Sequence, residues 1–281
     1  MLPASKTVKR TAKDLMRGKW PQLMAVCCII VSGYLAVILA ESTLQYALGD
    51  TVPLFTAVLQ QKIGNLTPAV LLCEVLGLLL MLFIWGPLFL GAQRWFWRLS
   101  GGADDTVGGL FHYFSSFRLY GRAVCFRFFL FLRILLAGLV CFAPAILSYI
   151  LVSPEFYAAL GLQTPIALAD LWSLPGIFGA LGLVAFVPWM LRYYLAAYLL
   201  INDPELSPWQ ALTLSCKVSR GSRAVYLGLL LTFIGWALLC LLALPVFFVL
   251  PYLMTALPVF ARYAIDNYNV SFQRVPGYGM Y

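Results

Sequence analysis

Long runs of apolar residues, separated by short polar stretches, dominate this chain. A helix of about 20 residues crosses the hydrocarbon core of a bilayer, and most of the runs have that length. The pattern predicts an all-α fold: a polytopic integral membrane helical bundle of about six transmembrane helices with short interfacial amphipathic helices. The predicted spans are Pro21–Ala40, Pro68–Leu90, Ala123–Val152, Leu174–Leu195 and two within Ala224–Ile265.

Two of these runs leave alternatives open. Ala123–Val152 is longer than an untilted crossing requires, so it either kinks at Pro144 or begins in the membrane interface. Ala224–Ile265 suits two spans joined near Pro245, which is the interpretation we favour. Pro251 and Pro258 also allow one span followed by a re-entrant segment.

Composition supports the membrane interpretation. Hydrophobic residues make up 62% of the 281 residues and charged residues 11%, with a mean hydropathy of +0.89. Soluble domains contain about 25% charged residues. The chain is therefore predicted to be an integral membrane protein, with membrane lipids as partners.

The net charge of +8 is distributed unevenly along the chain. With six spans and an internal N-terminus, Lys62 is the one basic residue placed outside, whereas Glu41, Asp50, Glu155 and Asp170 lie in the outer loops. The positive-inside rule then predicts that both termini are cytoplasmic. Basic residues beside spans touch lipid headgroups, and we expect no nucleic-acid partner.

The predicted organisation has three parts. Residues 1–20 form a basic amphipathic segment, residues 21–268 the six-span domain, and residues 269–281 a short cytoplasmic tail. In the first part Val8, Ala12, Leu15 and Met16 share one helical face, which predicts a helix lying on the membrane surface. The first apolar run has no signal-peptide cleavage site.

A polar stretch, Leu200–Tyr226, separates two apolar runs. Ser207 and Gln210 have the spacing of a capping box, and Pro208 suits the first helical position. Gly221 is the predicted left-handed stop. These signals predict a cytoplasmic loop followed by a short interfacial helix.

The layout of this stretch occurs once before in the chain. A shift of 101 residues aligns Pro87–Val124 with Pro188–Val225 without a gap and superposes the identical "RAV" at Arg122 and Arg223. We hypothesise a parallel internal repeat: a span in, an acidic loop, an interfacial helix and a span out. The two span pairs should then superpose.

Two ionisable residues lie inside predicted spans and form a candidate intramembrane polar site. Glu74 is a candidate ion or proton site, because a carboxylate in a span is costly unless it faces protein or water. Arg133 lies deeper in its span than Arg127, which can snorkel. The estimated depths of Glu74 and Arg133 differ by about 15 Å, which argues against direct contact.

A second candidate set lies at the interface and could bind a partner: Arg192, Asp203, Glu205, Trp209 and Arg223. Arg192 also suits an interface anchor, and the two carboxylates suit helix capping.

The sequence predicts no catalytic residues, metal site or cofactor. The seven cysteines fall mostly in apolar runs, and His112 is the only histidine. The chain has no zinc, P-loop or nucleophile-elbow motif.

Several motifs occur together: "GPLFLG" at 86–91, "LRYYLAAYLLINDPELSPWQALTLS" at 191–215, "FIGW" at 233–236 and "LPY" at 250–252. With them the chain resembles an uncharacterised family of bacterial multi-pass membrane proteins, domain of unknown function family nine-seven-five. That family is distantly similar to the membrane domain of some glycerophosphodiester phosphodiesterases. The resemblance implies a six-span helical fold in a bacterial cytoplasmic membrane and no accepted activity.

Short loops, interfacial helices and the lack of catalytic motifs favour a non-enzymatic accessory or scaffold protein, which binds lipids and another membrane protein. The alternative is a small transporter or lipid-handling protein with a cavity between the repeated helix pairs; its small-molecule substrate is unknown. A membrane enzyme acting on lipid headgroups is a third interpretation.

Overall fold

The computed structural model describes residues 5–48, 68–152, 173–240 and 245–271, and these contain ten α-helices and no strand. The helices are α1 Ser5–Met16, α2 Trp20–Ala47, α3 Pro68–Leu80, α4 Gly86–Ser100, α5 Phe117–Val152, α6 Ser173–Met190, α7 Ala196–Asn202, α8 Pro208–Val218, α9 Arg223–Leu239 and α10 Val246–Ser271. A π-helical turn, Met81–Trp85, joins α3 to α4, and a 3-10 helix, Val107–Phe114, precedes α5. The predicted all-α class is confirmed.

Four helical stretches among the described residues are long and apolar enough to cross a membrane: Trp20–Ala47, Pro68–Ser100, Phe117–Val152 and Val246–Asn269. Two shorter apolar helices, Leu174–Met190 and Arg223–Trp236, correspond to the fourth and fifth predicted spans. At 1.5 Å per residue these two stretches are about 25 and 21 Å long, shorter than the ~30 Å hydrocarbon core. The last apolar run does divide into two helices.

Several predicted boundaries are wrong. Helix α2 runs to Ala47, so Glu41 lies on the helix rather than in a loop. Helix α5 begins at Phe117, and it continues through Pro144. Helix α6 stops at Met190, two residues after a proline that cannot donate a helical hydrogen bond.

The buried core concentrates at one end of the bundle, where α4 and α7 end and α5 and α9 begin; we call it the polar end. Trp95, Phe96, Phe126 and Phe260 are its largest fully buried side chains. Away from this end, α5 and α6 expose large apolar side chains, as lipid-facing helices do; Val184, for example, is 72% exposed.

Helix α1 is part of this core. Its Val8, Ala12 and Met16 are buried in clusters formed with the other helices, and the Tyr252 hydroxyl of α10 donates to the Lys9 carbonyl at 3.3 Å. The amphipathic helix is as predicted. The predicted contact of its apolar face with the membrane surface is wrong, because that face packs on protein.

Trp95 and Trp97, which alternate with Arg94 and Arg98 near the end of α4, are also buried in the protein. Trp95 is 1% exposed, and its indole N–H donates to the carbonyls of Asp105 and Thr106 at 3.3 and 3.2 Å. Arg94 and Arg98 pair with the Asp105 carboxylate at 3.5 and 3.1 Å. These residues fix the turn after α4.

The order of elements repeats three times: a short helix at the polar end, an apolar helix leading away, and an apolar helix returning. The short elements are α1, Val107–Phe114 and α8. Val107–Phe114 packs on the returning α4, α8 packs on α7, and α1 packs on α10, which closes the ring. This order extends the hypothesis of a duplicated unit by a third copy; superposition of the pairs stays a prediction.

Candidate functional site

The helix break at residues 191–195, between α6 and α7, organises most of the predicted interfacial set. The break releases the Arg192 carbonyl from regular helical hydrogen bonding. That oxygen accepts hydrogen bonds from the hydroxyls of Ser215 at 2.8 Å and Ser219 at 3.3 Å. Ser215 lies on α8, and Ser219 lies in the turn that follows it. Both serines are fully buried. Since buried polar groups need partners, these bonds hold α8 against the break.

Helix α8 begins as the sequence predicts. The Gln210 amide donates to Ser207 Oγ at 3.3 Å, and the Ser207 amide donates to Gln210 Oε1 at 3.1 Å, which completes the capping box. The other end differs. Positive φ occurs among the described glycines at Gly18 and Gly102, so the predicted left-handed stop at Gly221 is wrong. The helix instead tightens into a 3-10 turn, Ser219–Gly221.

Arg223 secures that second end. Its Nη2 donates to the Cys216 carbonyl at 2.7 Å and its Nε to Ser219 Oγ at 3.1 Å. A cation that donates to the last carbonyls of a helix also interacts favourably with the helix dipole. Arg192 lies over the Trp189 ring at 4.4 Å, and its buried Nε has no hydrogen-bond partner among the described residues.

Arg133 belongs with this set. Its guanidinium lies 3.9 Å from the centre of the Trp209 ring and donates to Thr213 Oγ1 at 3.0 Å. Tyr193 lies 5.9 Å away on a third side. Trp209 itself is half exposed, and Phe129 meets its ring edge-on. Arg133 therefore restrains an exposed tryptophan, and its place in an intramembrane polar site stays a prediction.

Glu74 lies elsewhere. It is on α3, one turn before Gly77, and a Cβ added at Gly77 would lie 2.6 Å from the Glu41 carboxylate of α2. The structure brings the two acids Glu41 and Glu74 to facing helices. It does not bring Glu74 and Arg133 into contact, because Arg133 packs on α8.

Asp203 and Glu205 form a turn. The Asp203 carboxylate accepts the Glu205 amide at 2.9 Å, as a capping carboxylate does. Arg122 Nη2 lies within hydrogen-bond distance of the carbonyls of Leu200, Asp203 and Leu206, at 3.1, 2.5 and 2.8 Å. The arginine binds backbone oxygens, so the acidic pair shapes the loop that the arginine caps.

Tyr194 completes the packing behind the break. Its hydroxyl is 2.6 Å from Ser222 Oγ, and its ring stacks on Tyr226 with centres 4.0 Å apart. Burial raises the pKa of the Tyr194 hydroxyl above its ordinary value, so the phenol stays neutral at cellular pH. The group is a hydrogen-bonded packing element.

Sequence reasoning missed the residues that join these parts, chiefly Arg122, Ser215 and Ser219. The "RAV" repeat did carry a signal: each copy places an arginine at the start of a helix leading away, where it donates to backbone carbonyls. Ser215 and Ser219 are four residues apart on one helical face, which also marks a shared partner.

The described residues contain no cluster of three or more histidine, cysteine or acidic side chains placed to hold a metal ion. The arrangement consists of arginines and hydroxyls that donate to backbone carbonyls, with aromatic rings packed against the arginines and against one another. It holds the short helices of the polar end rigidly and presents Trp209 with Arg133 at the surface.

A family model described as "Protein of unknown function (DUF975)" matches residues 1–266, and the chain belongs to this family. No curated protein and no solved structure gives a match. The likeness to the membrane domain of glycerophosphodiester phosphodiesterases stays a prediction.

Proposed function

We propose that the chain is a multi-pass protein of the bacterial cytoplasmic membrane, with both termini in the cytoplasm. The apolar helices support insertion. Arg94, Arg98, Arg122, Arg223 and Arg262 gather at the polar end, where α4 and α7 end and α5 and α9 begin, and this placement supports a cytoplasmic polar end. We propose further that the protein is a non-enzymatic accessory that binds another membrane protein through this end.

The observation that carries the accessory role is the exposed Trp209 with Arg133 stacked on it. Trp209 is 51% exposed, and its helix is held in place because the buried Ser215 and Ser219 donate to the Arg192 carbonyl. Tryptophan and arginine dominate the binding energy of protein interfaces, and a rigid side chain loses little entropy on binding.

The test is mild purification of the full chain from its native membrane, followed by mass spectrometry. Trp209→Ala should lose a stoichiometric partner protein that the wild type retains. Leu231→Ala is the control, since Leu231 is 55% exposed on α9 and does not line the groove described below. Equal retention by both variants would refute the role of Trp209. A fluorescent protein fused after Tyr281 tests whether the C-terminus is cytoplasmic, as proposed.

A second candidate function, lipid handling, has its own observation. A groove of about 540 Å³ lies between α1, α2, α9 and α10. Lys13 and Arg17 line it together with the rings of Trp20, Trp236 and Phe248. Cations beside exposed aromatic rings suit an anionic phospholipid.

Native mass spectrometry of bound lipid tests this second candidate. Lys13→Gln with Arg17→Gln should reduce retained anionic phospholipid. Lys6→Gln with Arg10→Gln removes the same charge from the same helix at two exposed positions and should leave the lipid in place. Equal loss from both double variants would indicate general surface attraction.

A further inference from the structure

The 3-10 helix Val107–Phe114 and the first residue of α5 expose three phenylalanines, Phe111, Phe114 and Phe117. Phe117 is 90% exposed, and the rings of the other two lie 6.4 Å apart. We call these three residues the aromatic patch. It belongs neither to the surface around Trp209 nor to the groove beside α1.

The aromatic patch lies beside the apolar part of α4. A Cβ added at Gly91 would lie 1.9 Å from the Leu110 carbonyl oxygen, so the two backbones are in close contact there. Farther along, the Tyr120 hydroxyl donates to the Phe83 carbonyl at 2.9 Å. The segment that carries the patch therefore runs back toward the middle of the apolar stretch Pro68–Ser100. With the chain inserted as proposed, exposed aromatic rings at this level face lipid at the edge of the hydrocarbon core.

Next to the aromatic patch, toward the polar end, is a shallow depression of about 520 Å³. Its walls include Phe111 and Phe114 of the patch, His112, and the α4 residues Arg94 and Arg98. Along α4 the two arginines lie about 5 and 10 Å beyond the contact with the 3-10 helix. A headgroup layer is about 5–8 Å thick, so a lipid with its acyl chains at the patch has its phosphate near the arginines.

The depression carries a net positive charge. Arg94 and Arg98 share the Asp105 carboxylate at 3.5 and 3.1 Å, so two cations face one anion. The neighbouring Asp104 pairs with Lys19 and adds no net charge. The histidine on the wall has a pKa lowered by burial and by both arginines, so it adds no charge at neutral pH. One positive charge is left for a ligand to balance.

We infer that the aromatic patch and the depression together bind one anionic phospholipid of the cytoplasmic leaflet. The phenylalanines contact the start of the acyl chains, and Arg94 and Arg98, held in place by Asp105, donate to the phosphate oxygens. A zwitterionic lipid carries the same phosphate without a net charge, so the unbalanced arginine selects an anionic lipid. The inference rests on the proposed insertion with a cytoplasmic polar end, and it names a lipid site separate from the groove beside α1.

Photo-crosslinking in nanodiscs tests the inference. The full chain carries p-benzoylphenylalanine in place of Phe114 and is reconstituted with equal amounts of phosphatidylglycerol and phosphatidylcholine. Mass spectrometry then gives the ratio of the two lipids in the crosslinked product. Phosphatidylglycerol should exceed phosphatidylcholine about fivefold, the factor that one basic side chain near an anionic headgroup provides.

The same photo-reactive residue in place of Phe178 on α6 is the matched control. Phe178 is 37% exposed, against 42% for Phe114. The described residues of its pocket are uncharged, so acyl chains can reach this position without a cation to select their headgroup. The ratio of the two lipids captured there should be about one.

Charge variants identify the selecting group. Arg98→Gln removes the unbalanced charge and should bring the ratio at position 114 to about one, whereas Arg98→Lys keeps the charge and should retain the enrichment. Arg220→Gln, in a separate pocket of the polar end, should leave the ratio unchanged. Lys13→Gln with Arg17→Gln, in the groove beside α1, should leave it unchanged as well.

Equal ratios at positions 114 and 178, or an enrichment that Arg98→Gln leaves intact, would overturn the inference. The proposed insertion would stand in both cases, because both positions still capture lipid. Capture of no lipid at either position would contradict the insertion and the inference together.

Discussion

Replacing Arg122 with glutamine should destabilise the polar end more than any other single loss of charge at the start of α5. The arginine reaches from this helix to the loop after α7, where its Nη2 lies 2.5 to 3.1 Å from three carbonyl oxygens. Glutamine is shorter and neutral, so it can neither reach all three oxygens nor supply a cation.

The magnitude follows from these contacts. A hydrogen bond to a charged group contributes about 1.5–3 kcal/mol net. Nη2 carries two hydrogens, so two of the three contacts can be well-formed bonds at once, and the group is only partly buried. We therefore expect a loss of about 3 kcal/mol in the free energy of unfolding, which lowers Tm by about 5–10 °C.

Thermal unfolding of the purified protein in one detergent measures the effect. Arg118→Gln is the matched control, because Arg118 lies four residues earlier on the same helix and is exposed. Its substitution should change the free energy of unfolding by less than about 0.5 kcal/mol. Arg122→Lys should recover part of the loss, since an ammonium can still donate to a carbonyl. Equal Tm values for the two glutamine variants would show that Arg122 does not hold the loop.

Three further variants test other parts of the structure. Gly91→Ala should prevent correct packing and lower Tm by 10 °C or more, by an estimate of ~3 kcal/mol or more for overpacking, because its Cβ would lie 1.9 Å from the Leu110 carbonyl oxygen. Gly176→Ala, with open space around it, is the control. Ser207→Ala should cost about 1 kcal/mol through loss of the α8 cap, a Tm decrease of about 2–4 °C. Burial, aided by nearby arginines, lowers the pKa of His112, so stability should be full above pH ~6.5 and fall as pH decreases through the lowered value; a His112→Gln variant should lose this pH dependence.

The sequence predicts the helical class because apolar length and capping chemistry are local properties. The box at Ser207 and Gln210 forms as expected, since both partners lie within one helical turn. The end of α6 shows the limit of local signals. Pro188 is compatible with a continuing span or with a break, and the break exists because Ser215 and Ser219 bind the carbonyl it releases.

An amphipathic pattern shows that one face of a helix is apolar, and it does not say what covers that face. Lipid and protein are equally apolar covers, so the buried face of α1 and the buried Trp95 both resemble membrane contacts in sequence. The contact of Arg133 with Trp209 could not be predicted from the sequence, because the two residues are 76 positions apart in the chain and meet only where α5 packs on α8.

The basic residues of the polar end can act in two ways: they can stabilise helix ends, and their charge can set the orientation in the membrane. Arg122, Arg223 and Arg262 donate to backbone carbonyls near the ends of helices, where the chain leaves oxygens without helical partners. Removing one of these arginines changes stability together with charge, so altered orientation in such a variant would not test the positive-inside rule. Lys217 and Arg220 line an open pocket at the same end. Charge removal there separates membrane orientation from folding, because neither side chain donates to a helix end among the described residues.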